Sequence, residues 1–168
     1  MSFQKHEQNG LVWFTADALN AVPHGFPTRR GGVSPAPWDS LNLRPSQGDG
    51  PEALGENHHR FFAALGLNES RAVLSQQTHT ANIRRVTAAD AGKGLLRPRD
   101  YTDVDALITD EPGLSLTVFS ADCGTVLLYD PVRQAIGAVH AGWRGCAAGI
   151  VQKTVAAMCD AYGCRAEN

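Results

Sequence analysis

Apolar side chains recur at helical spacing in two parts of the chain. Over 51–65 they fall three or four residues apart, with a proline near the first turn and Gly66 after the last. A second series begins near Cys146 and runs to about Ala161, and its apolar residues make one face of a helix. These residues are Ile150, Val151, Val155 and Met158. The spacing therefore predicts two helices, the second packed on a sheet.

Short runs of apolar and β-branched residues predict strands before and between these helices. Four of them occupy 11–14, 72–76, 82–86 and 105–109. Two more lie inside the stretch 114–145, one leading to Cys123 and the other to His140. Strands and helices in no regular alternation favour a mixed α/β fold over a doubly wound nucleotide-binding fold. We expect a single domain over 1–168.

The segments between these elements predict two loops. Residues 34–50 are rich in proline, serine, glycine and aspartate, which predicts an irregular loop and a candidate lid over a site. Residues 87–102 are charged and contain glycine, which predicts a mobile loop on the surface.

Three of the predicted strands end in residues that can bind a metal or act in catalysis. Cys123 and His140 follow the two runs inside 114–145, and His79 follows the run 72–76. If the first two runs are neighbouring strands, Cys123 and His140 lie within reach of each other. A histidine in the position of His79 is by itself more often structural than a ligand. The pattern therefore predicts a two-residue site and a candidate third member.

Composition and charge narrow the class of protein. The 168 residues suit one domain with a sizeable core, and 43% hydrophobic with 19% charged residues is typical of a soluble globular protein. The formal net charge of -2 comes without a basic stripe, so nucleic acid and anionic membrane surfaces are poor candidates as main partners. The first ten residues are polar and no apolar window could cross a bilayer, which predicts a cytoplasmic protein.

The cysteines support this location. Four are present, without a CxxC pair and all in the last third of the chain, which is no disulfide framework and fits a reducing compartment. Apart from Cys123, they are interpreted as ordinary thiols.

Two kinds of chemistry are open to His79, Cys123 and His140. If all three converge, two imidazoles and a thiolate suit zinc and leave a fourth position for a water, whose pKa zinc lowers to roughly 7. Copper also accepts these donors. Without a metal, Cys123 and His140 would form a thiolate and imidazolium pair acting on acyl groups, with Asp122 or a backbone carbonyl orienting the histidine. Asp122 is a candidate acid or base in either scheme.

Arginines beside glycines are candidate anion-binding residues. Arg29 and Arg30 precede two glycines, and Arg144 lies between Gly142 and Gly145 at the start of the second predicted helix. Guanidinium groups and exposed backbone amides both suit phosphate or carboxylate. A plain turn with solvated arginines is the commoner interpretation of 28–34, because its spacing matches neither a P-loop nor a dinucleotide-binding fingerprint.

Six segments, in this order and across almost the whole chain, resemble the YfiH-like laccase-domain family, also called polyphenol oxidase-like. They are TRRGGVS at 28–34, LNL at 41–43, QTH at 77–79, DALIT at 105–109, SADC at 120–123 and AVHAGWRG at 138–145. The resemblance implies an α/β fold in which two mixed β-sheets pack between helices as a layered sandwich. It also implies a mononuclear metal site, usually taken as zinc, at His79, Cys123 and His140.

The resemblance further implies an enzyme of purine nucleosides. Its expected reactions are phosphorolysis of adenosine, inosine and methylthioadenosine, and deamination of adenosine. Asp122 would then carry a proton, and Arg29, Arg30 or Arg144 would hold phosphate. Older family names imply copper-dependent phenol oxidation. The alternatives are a cysteine hydrolase or peptidoglycan-editing amidase, which uses Cys123 and His140, and a non-catalytic metal-binding domain.

The chain departs from the family pattern in two places. Gly124 and Thr125 follow the cysteine where the family usually has a proline two residues beyond it. Family members also continue for roughly a further half-domain, whereas this sequence stops at Asn168. We therefore expect the chain to lack the C-terminal part of the family domain.

Overall fold

The computed structural model describes residues 2–45 and 48–168. The chain divides into two compact units, Met1–Glu69 and Ser70–Asn168. The described residues form three β-sheets and three α-helices, so the predicted mixed α/β class is confirmed. The resemblance implied two mixed sheets; of the three described here one is mixed, one antiparallel and one parallel. A single domain over 1–168 stays a prediction.

The first unit contains a three-stranded antiparallel sheet and one helix. Its strands β1 (Phe3–Gln8), β2 (Leu11–Ala16) and β3 (Phe26–Pro27) lie in that order, and helix α1 spans Pro51–Ala64. Both β2 and α1 match the predicted elements. The sequence did not predict β1, because its six residues are largely polar and none is buried. In the core, Leu11, Trp13 and Leu41 pack with Phe61 and Leu65 of the helical segment.

The second unit contains the other two sheets. Strands β4 (Ala72–Leu74) and β7 (Ser115–Thr117) form a parallel pair. The other sheet has four strands: β5 (Ile83–Arg85), β6 (Ala106–Thr109), β8 (Gly124–Asp130) and β9 (Ala135–Ala141). Their order in the sheet is β5, β6, β9, β8, in which β5 and β6 are parallel and the other pairs are antiparallel.

The core of the second unit lies on both sides of β6. On one side Leu107 packs with Val73 of β4 and with Val86. On the other side, Ala106 and Val139 pack against Ile150 of the C-terminal helix. Because side chains alternate along a strand, successive residues of β6 supply these two clusters.

The second predicted helix is in fact two helices. Helix α2 spans Trp143–Ala147 and α3 spans Ile150–Tyr162. Gly149 separates them with a left-handed φ of 73°, a conformation that ends helices and favours glycine. The predicted apolar face is present on α3, where Ile150 and Met158 are buried together with Thr154.

The strands near Cys123 and His79 end at other residues than the sequence predicted. Cys123 does not end a strand: β7 stops at Thr117, and Cys123 directly precedes β8, a strand that the sequence did not predict. The polar residues of 120–123 lie outside the ladder, which begins with Gly124 opposite Ala141. His79 likewise lies in the connection between β4 and β5 instead of at a strand end.

The two predicted loops have different outcomes. In the segment 34–50, residues 46 and 47 lie outside the described residues. The rest of this segment contains neither helix nor strand, as predicted. The segment 87–102 is not a loose surface loop, because buried ionic groups anchor it. Lys93 Nζ lies 2.6 Å from Asp90 Oδ1, and both side chains are about nine-tenths buried. The Tyr101 hydroxyl also donates to the Leu74 carbonyl at 2.6 Å.

Candidate metal centre

His79, Cys123 and His140 come together in the second unit. One ligand atom from each lies within 4.8 Å of the others. Cys123 Sγ is 3.8 Å from His79 Nε2, and the two imidazole rings meet edge to face with centroids 4.9 Å apart. His79 is exposed, Cys123 half-buried and His140 buried, so the cluster is open to solvent on the side of His79.

Antiparallel pairing of β8 with β9 brings Cys123 to His140. Gly124 lies opposite Ala141 and Thr125 opposite His140. The beginning of β8 is therefore beside the end of β9, and the residue before β8 is Cys123. The sequence predicted Cys123 near His140 if the runs that precede them were neighbouring strands. The two residues are close, but the strand that pairs with β9 is β8, which follows Cys123.

Asp105 fixes the orientation of the His140 ring. Its side chain is fully buried immediately before β6, and its Oδ1 accepts a hydrogen bond of 2.8 Å from His140 Nδ1. Burial raises the pKa of Asp105, but hydrogen bonds from His140, Thr80 and Thr78 outweigh it and lower the pKa below its usual value. An ionised carboxylate at Nδ1 leaves Nε2 as the nitrogen available to a metal.

The same carboxylate holds the turn that carries His79. The backbone N–H groups of Thr78, His79 and Thr80 donate to Asp105 at 3.1, 3.1 and 2.9 Å. His79 has a φ of 65°, which non-glycine residues rarely adopt and which these bonds help to stabilise. The sequence predicted Asp122 or a backbone carbonyl as the group that orients the histidine, whereas in the structure it is Asp105. The signal for Asp105 was a charged residue directly before a short buried strand whose first three residues are apolar.

Gly142 leaves the space in which the three ligands meet. A Cβ atom on this residue would lie 2.8 Å from His79 Cδ2, 3.3 Å from Cys123 Sγ and 3.4 Å from His140 Cε1. Its φ of -67° is ordinary for any residue, so the requirement for glycine is one of space. Two nitrogen donors and one sulfur donor around such a clear volume fit a zinc or copper ion.

Asp122 lies beside Cys123, and the carboxylate that bonds His140 is that of Asp105. Burial, and next the charge and hydrogen bond of the Asp122 carboxylate, raise the pKa of the Cys123 thiol. This is the opposite of the lowered pKa that activates a cysteine nucleophile.

Arg29 and the two glycines that follow Arg30 make structural contacts within the first unit. Arg29 donates from Nε to the Asp39 carbonyl at 2.8 Å, and Arg30 is exposed. A Cβ on Gly31 would come within 2.3 Å of the Leu11 backbone, and one on Gly32 within 2.1 Å of the Ser40 carbonyl oxygen. These glycines therefore allow backbone segments of the first unit to pack closely.

Arg144 lies in the second unit, two residues after Gly142. Its guanidinium carbon is 5.2 Å from the centroid of the Trp143 ring, a cation–π contact, and Trp143 is 72% exposed. Arg144 is thus the predicted phosphate-binding arginine that adjoins the candidate centre in sequence.

No described helix is both long enough and apolar enough to cross a membrane. The cytoplasmic location inferred from the sequence stays a prediction.

Known proteins similar to this chain were found by a family model and by sequence identity. Residues 23–168 match the family described as multi-copper polyphenol oxidoreductase laccase. A purine nucleoside phosphorylase of Streptomyces coelicolor is 41% identical over 144 residues, 86% of this chain and 57% of that protein. A purine nucleoside phosphorylase of Deinococcus radiodurans is 40% identical over 158 residues, 94% of this chain and 57% of that protein.

A solved structure shows the same fold. The Bacillus licheniformis hypothetical protein YfiH superposes with a TM-score of 0.85 at 33% identity, covering 94% of this chain and 58% of that chain. The chain therefore spans somewhat more than half the length of these three relatives. With the family match across 23–168, this shows that the chain belongs to the YfiH-like laccase-domain family.

Proposed function

We propose that the protein is a metal-dependent purine nucleoside phosphorylase whose metal is held by His79, Cys123 and His140. The observation that carries the proposal is the convergence of these three ligands within 4.8 Å, beside a carboxylate that orients one histidine. The two relatives named purine nucleoside phosphorylase, each at least 40% identical, support the reaction class.

The donor set favours one zinc ion. Two imidazole nitrogens and one thiolate form a common set for catalytic zinc, with a fourth position left for a substrate atom or water. A zinc ion there supplies Lewis-acid chemistry, by polarising a bound oxygen or lowering the pKa of bound water. Copper is the alternative, because the same donors accept it and the family description names it.

Phosphorolysis sets two tasks for the side chains. A phosphate oxygen forms a bond to the anomeric carbon while the bond to the purine nitrogen breaks, and the purine keeps that electron pair. Arg144 is the first candidate to hold the phosphate, since it follows Gly142 by two residues and is exposed. Arg29 and Arg30 stay predictions from the sequence. Asp122 is proposed to donate the proton that the leaving purine takes up on the nitrogen that keeps the electron pair.

Adenosine deamination is a second candidate reaction at the same centre. Water would add at the amino-bearing carbon of adenine and ammonia would leave, which requires a group that moves a proton. The exposed Asp122 beside Cys123 favours this reaction, because a carboxylate next to an open metal position can serve as that group.

Metal analysis and a product assay test the proposal. Purified protein should contain one zinc ion per chain and convert adenosine plus phosphate to adenine, with inosine as the product of deamination. His79→Ala removes one of three ligands, so we expect loss of bound metal and at least about a hundredfold lower activity. Full metal content and full activity in that variant would contradict the metal centre.

The same assay separates the alternatives. Activity that survives removal of the metal by a chelator would favour a cysteine hydrolase using Cys123 and His140. Bound metal without turnover of any nucleoside would favour a non-catalytic metal-binding domain.

A further inference from the structure

The side chain of Gln77 makes two hydrogen bonds to the backbone of one residue near the candidate metal centre, Phe119. Its side-chain Nε2 donates to the Phe119 carbonyl at 2.7 Å, and its Oε1 accepts from the Phe119 N–H at 2.6 Å. The Ser75 hydroxyl donates to the same Oε1 at 2.7 Å. The amide of Gln77 thus bonds both backbone groups of one residue, as a neighbouring strand would.

This contact begins where the backbone ladder stops. The parallel pair β4 and β7 ends at Leu74 and Thr117, with one more backbone bond from Ser75 N–H to the Thr117 carbonyl at 3.0 Å. Beyond it, residues 118–123 belong to no strand. The Gln77 amide therefore continues the pairing between the two segments, two residues beyond this last backbone bond.

Each of these two segments carries a metal ligand. Gln77 lies two residues before His79, and Phe119 lies four residues before Cys123. Between Phe119 and the start of β8, a hydrogen bond from the Ser120 hydroxyl to the Cys123 carbonyl gives local support. Asp105 bonds both histidines, whereas Gln77 bonds the segment that leads to Cys123.

We propose that Gln77 is a positioning residue for the metal centre, which holds the segment carrying Cys123 against the segment carrying His79. The inference rests on the metal centre of the proposed function and adds a residue that touches neither metal nor substrate. A side chain that fixes ligand spacing before metal binding raises affinity, because less ordering is left to be done on binding.

Cobalt(II) and zinc titrations of the metal-free protein test this role. Gln77→Ala removes the three hydrogen bonds, and Gln77→Met removes them while keeping the length of the side chain. We expect both variants to bind zinc about 10- to 100-fold more weakly than the wild type in competition with a chelator. We also expect weaker thiolate-to-cobalt absorption per bound cobalt, with Cys123→Ser as the reference for a centre without a thiolate.

Gln76→Ala is the matched control. This substitution removes a glutamine side chain one position earlier in the chain. Among the residues that the structure describes, the Gln76 Oε1 atom has no hydrogen-bond partner. This variant should bind both metals like the wild type.

The outcomes separate the positioning role from the metal centre itself. Wild-type affinity and cobalt spectrum in both Gln77 variants would overturn the inference and leave the proposed function standing. Loss of the folded circular dichroism spectrum in both metal-free variants would make Gln77 a general structural residue, which also overturns it. A wild-type protein that binds neither metal would overturn the metal centre and the inference with it.

Discussion

Asp105 connects the two histidines of the centre through its two carboxylate oxygens. Oδ1 accepts from His140 Nδ1 and the His79 N–H, and Oδ2 accepts from the N–H groups of Thr78 and Thr80 and from the Thr80 hydroxyl. Hydrogen bonds to an ionised group are stronger than those between neutral groups. At the scale of single residues, the geometry of the site therefore depends on side chains around the ligands as much as on the ligands.

Gly142→Ala tests the space at the centre. The added methyl group would lie 2.8 Å from the His79 ring and 3.3 Å from Cys123 Sγ, so at least one ligand must move. We expect zinc affinity to fall by at least about tenfold, measured by competition with a chelator.

Gly124→Ala is the control for this substitution. It adds the same methyl group next to Cys123, but the nearest atom, the Ala141 carbonyl oxygen, is 3.5 Å away, an ordinary contact distance. Equal zinc affinity in Gly142→Ala and Gly124→Ala would show that the space at Gly142 is not required.

At the scale of elements, the sheet and one anchored segment position the site. The β8 and β9 pair aligns Cys123 with His140, and β6 follows Asp105 directly. The segment 87–102 is attached to β4, because the Lys93 carbonyl accepts the Leu74 N–H at 3.0 Å. Leu74 ends the strand that leads to Gln77 and His79, so the anchored segment supports the same side of the site.

The ionic anchor predicts a loss of stability in acid. Burial raises the pKa of Asp90, but hydrogen bonds from Lys93, the Thr87 backbone and Arg84 outweigh it and lower the pKa to about 2. A folded-state pKa below the unfolded value contributes stability above about pH 4 that is lost as the pH falls through 2. A decrease from 3.8 to about 2 corresponds to at most about 2 kcal/mol.

Urea unfolding of Asp90→Asn between pH 7 and pH 2 measures this contribution. The variant should be less stable than the wild type at pH 7, and the difference should shrink as the pH falls from 4 to 2. Asp160→Asn changes an exposed aspartate of α3 and serves as the control. A difference between Asp90→Asn and the wild type that stays constant with pH would contradict the ionic anchor.

At the scale of the whole molecule, metal binding should be coupled to the stability of the second unit. The three ligands come from sequence positions 79, 123 and 140, so unfolding of this unit separates them. An ion that binds only the folded state stabilises it by about 2.7 kcal/mol at a hundred times its dissociation constant.

Chelation is therefore expected to lower the melting temperature. Removing zinc should reduce it by roughly 5–10 °C for a chain of this size, and added zinc should restore it. His140→Ala should show no response to zinc or chelator. A wild-type melting temperature that does not change with zinc would argue against a site closed by all three ligands.

Much of this protein could be predicted from local sequence patterns. The spacing of apolar residues predicted α1, the apolar face of α3 and most of the buried strands, because burial of one face imposes a period that is visible in sequence. The six motifs indicated the family, and with it His79, Cys123 and His140 as ligands. Strand β1 was missed because it is largely polar, and edge strand β8 was missed although its residues 126–129 form a continuous apolar run.

The tertiary structure decided what surrounds the ligands. Asp105, Gln77 and Gly142 act through contacts between residues distant in sequence, such as the 2.7 Å bond from Gln77 Nε2 to the Phe119 carbonyl and the approach of Gly142 to His79. Local sequence patterns record periodicity and chemical type, whereas hydrogen-bond partners and free space depend on how strands are paired. The sequence by itself therefore determined which residues can bind a metal, and only the folded chain determined how they are held together.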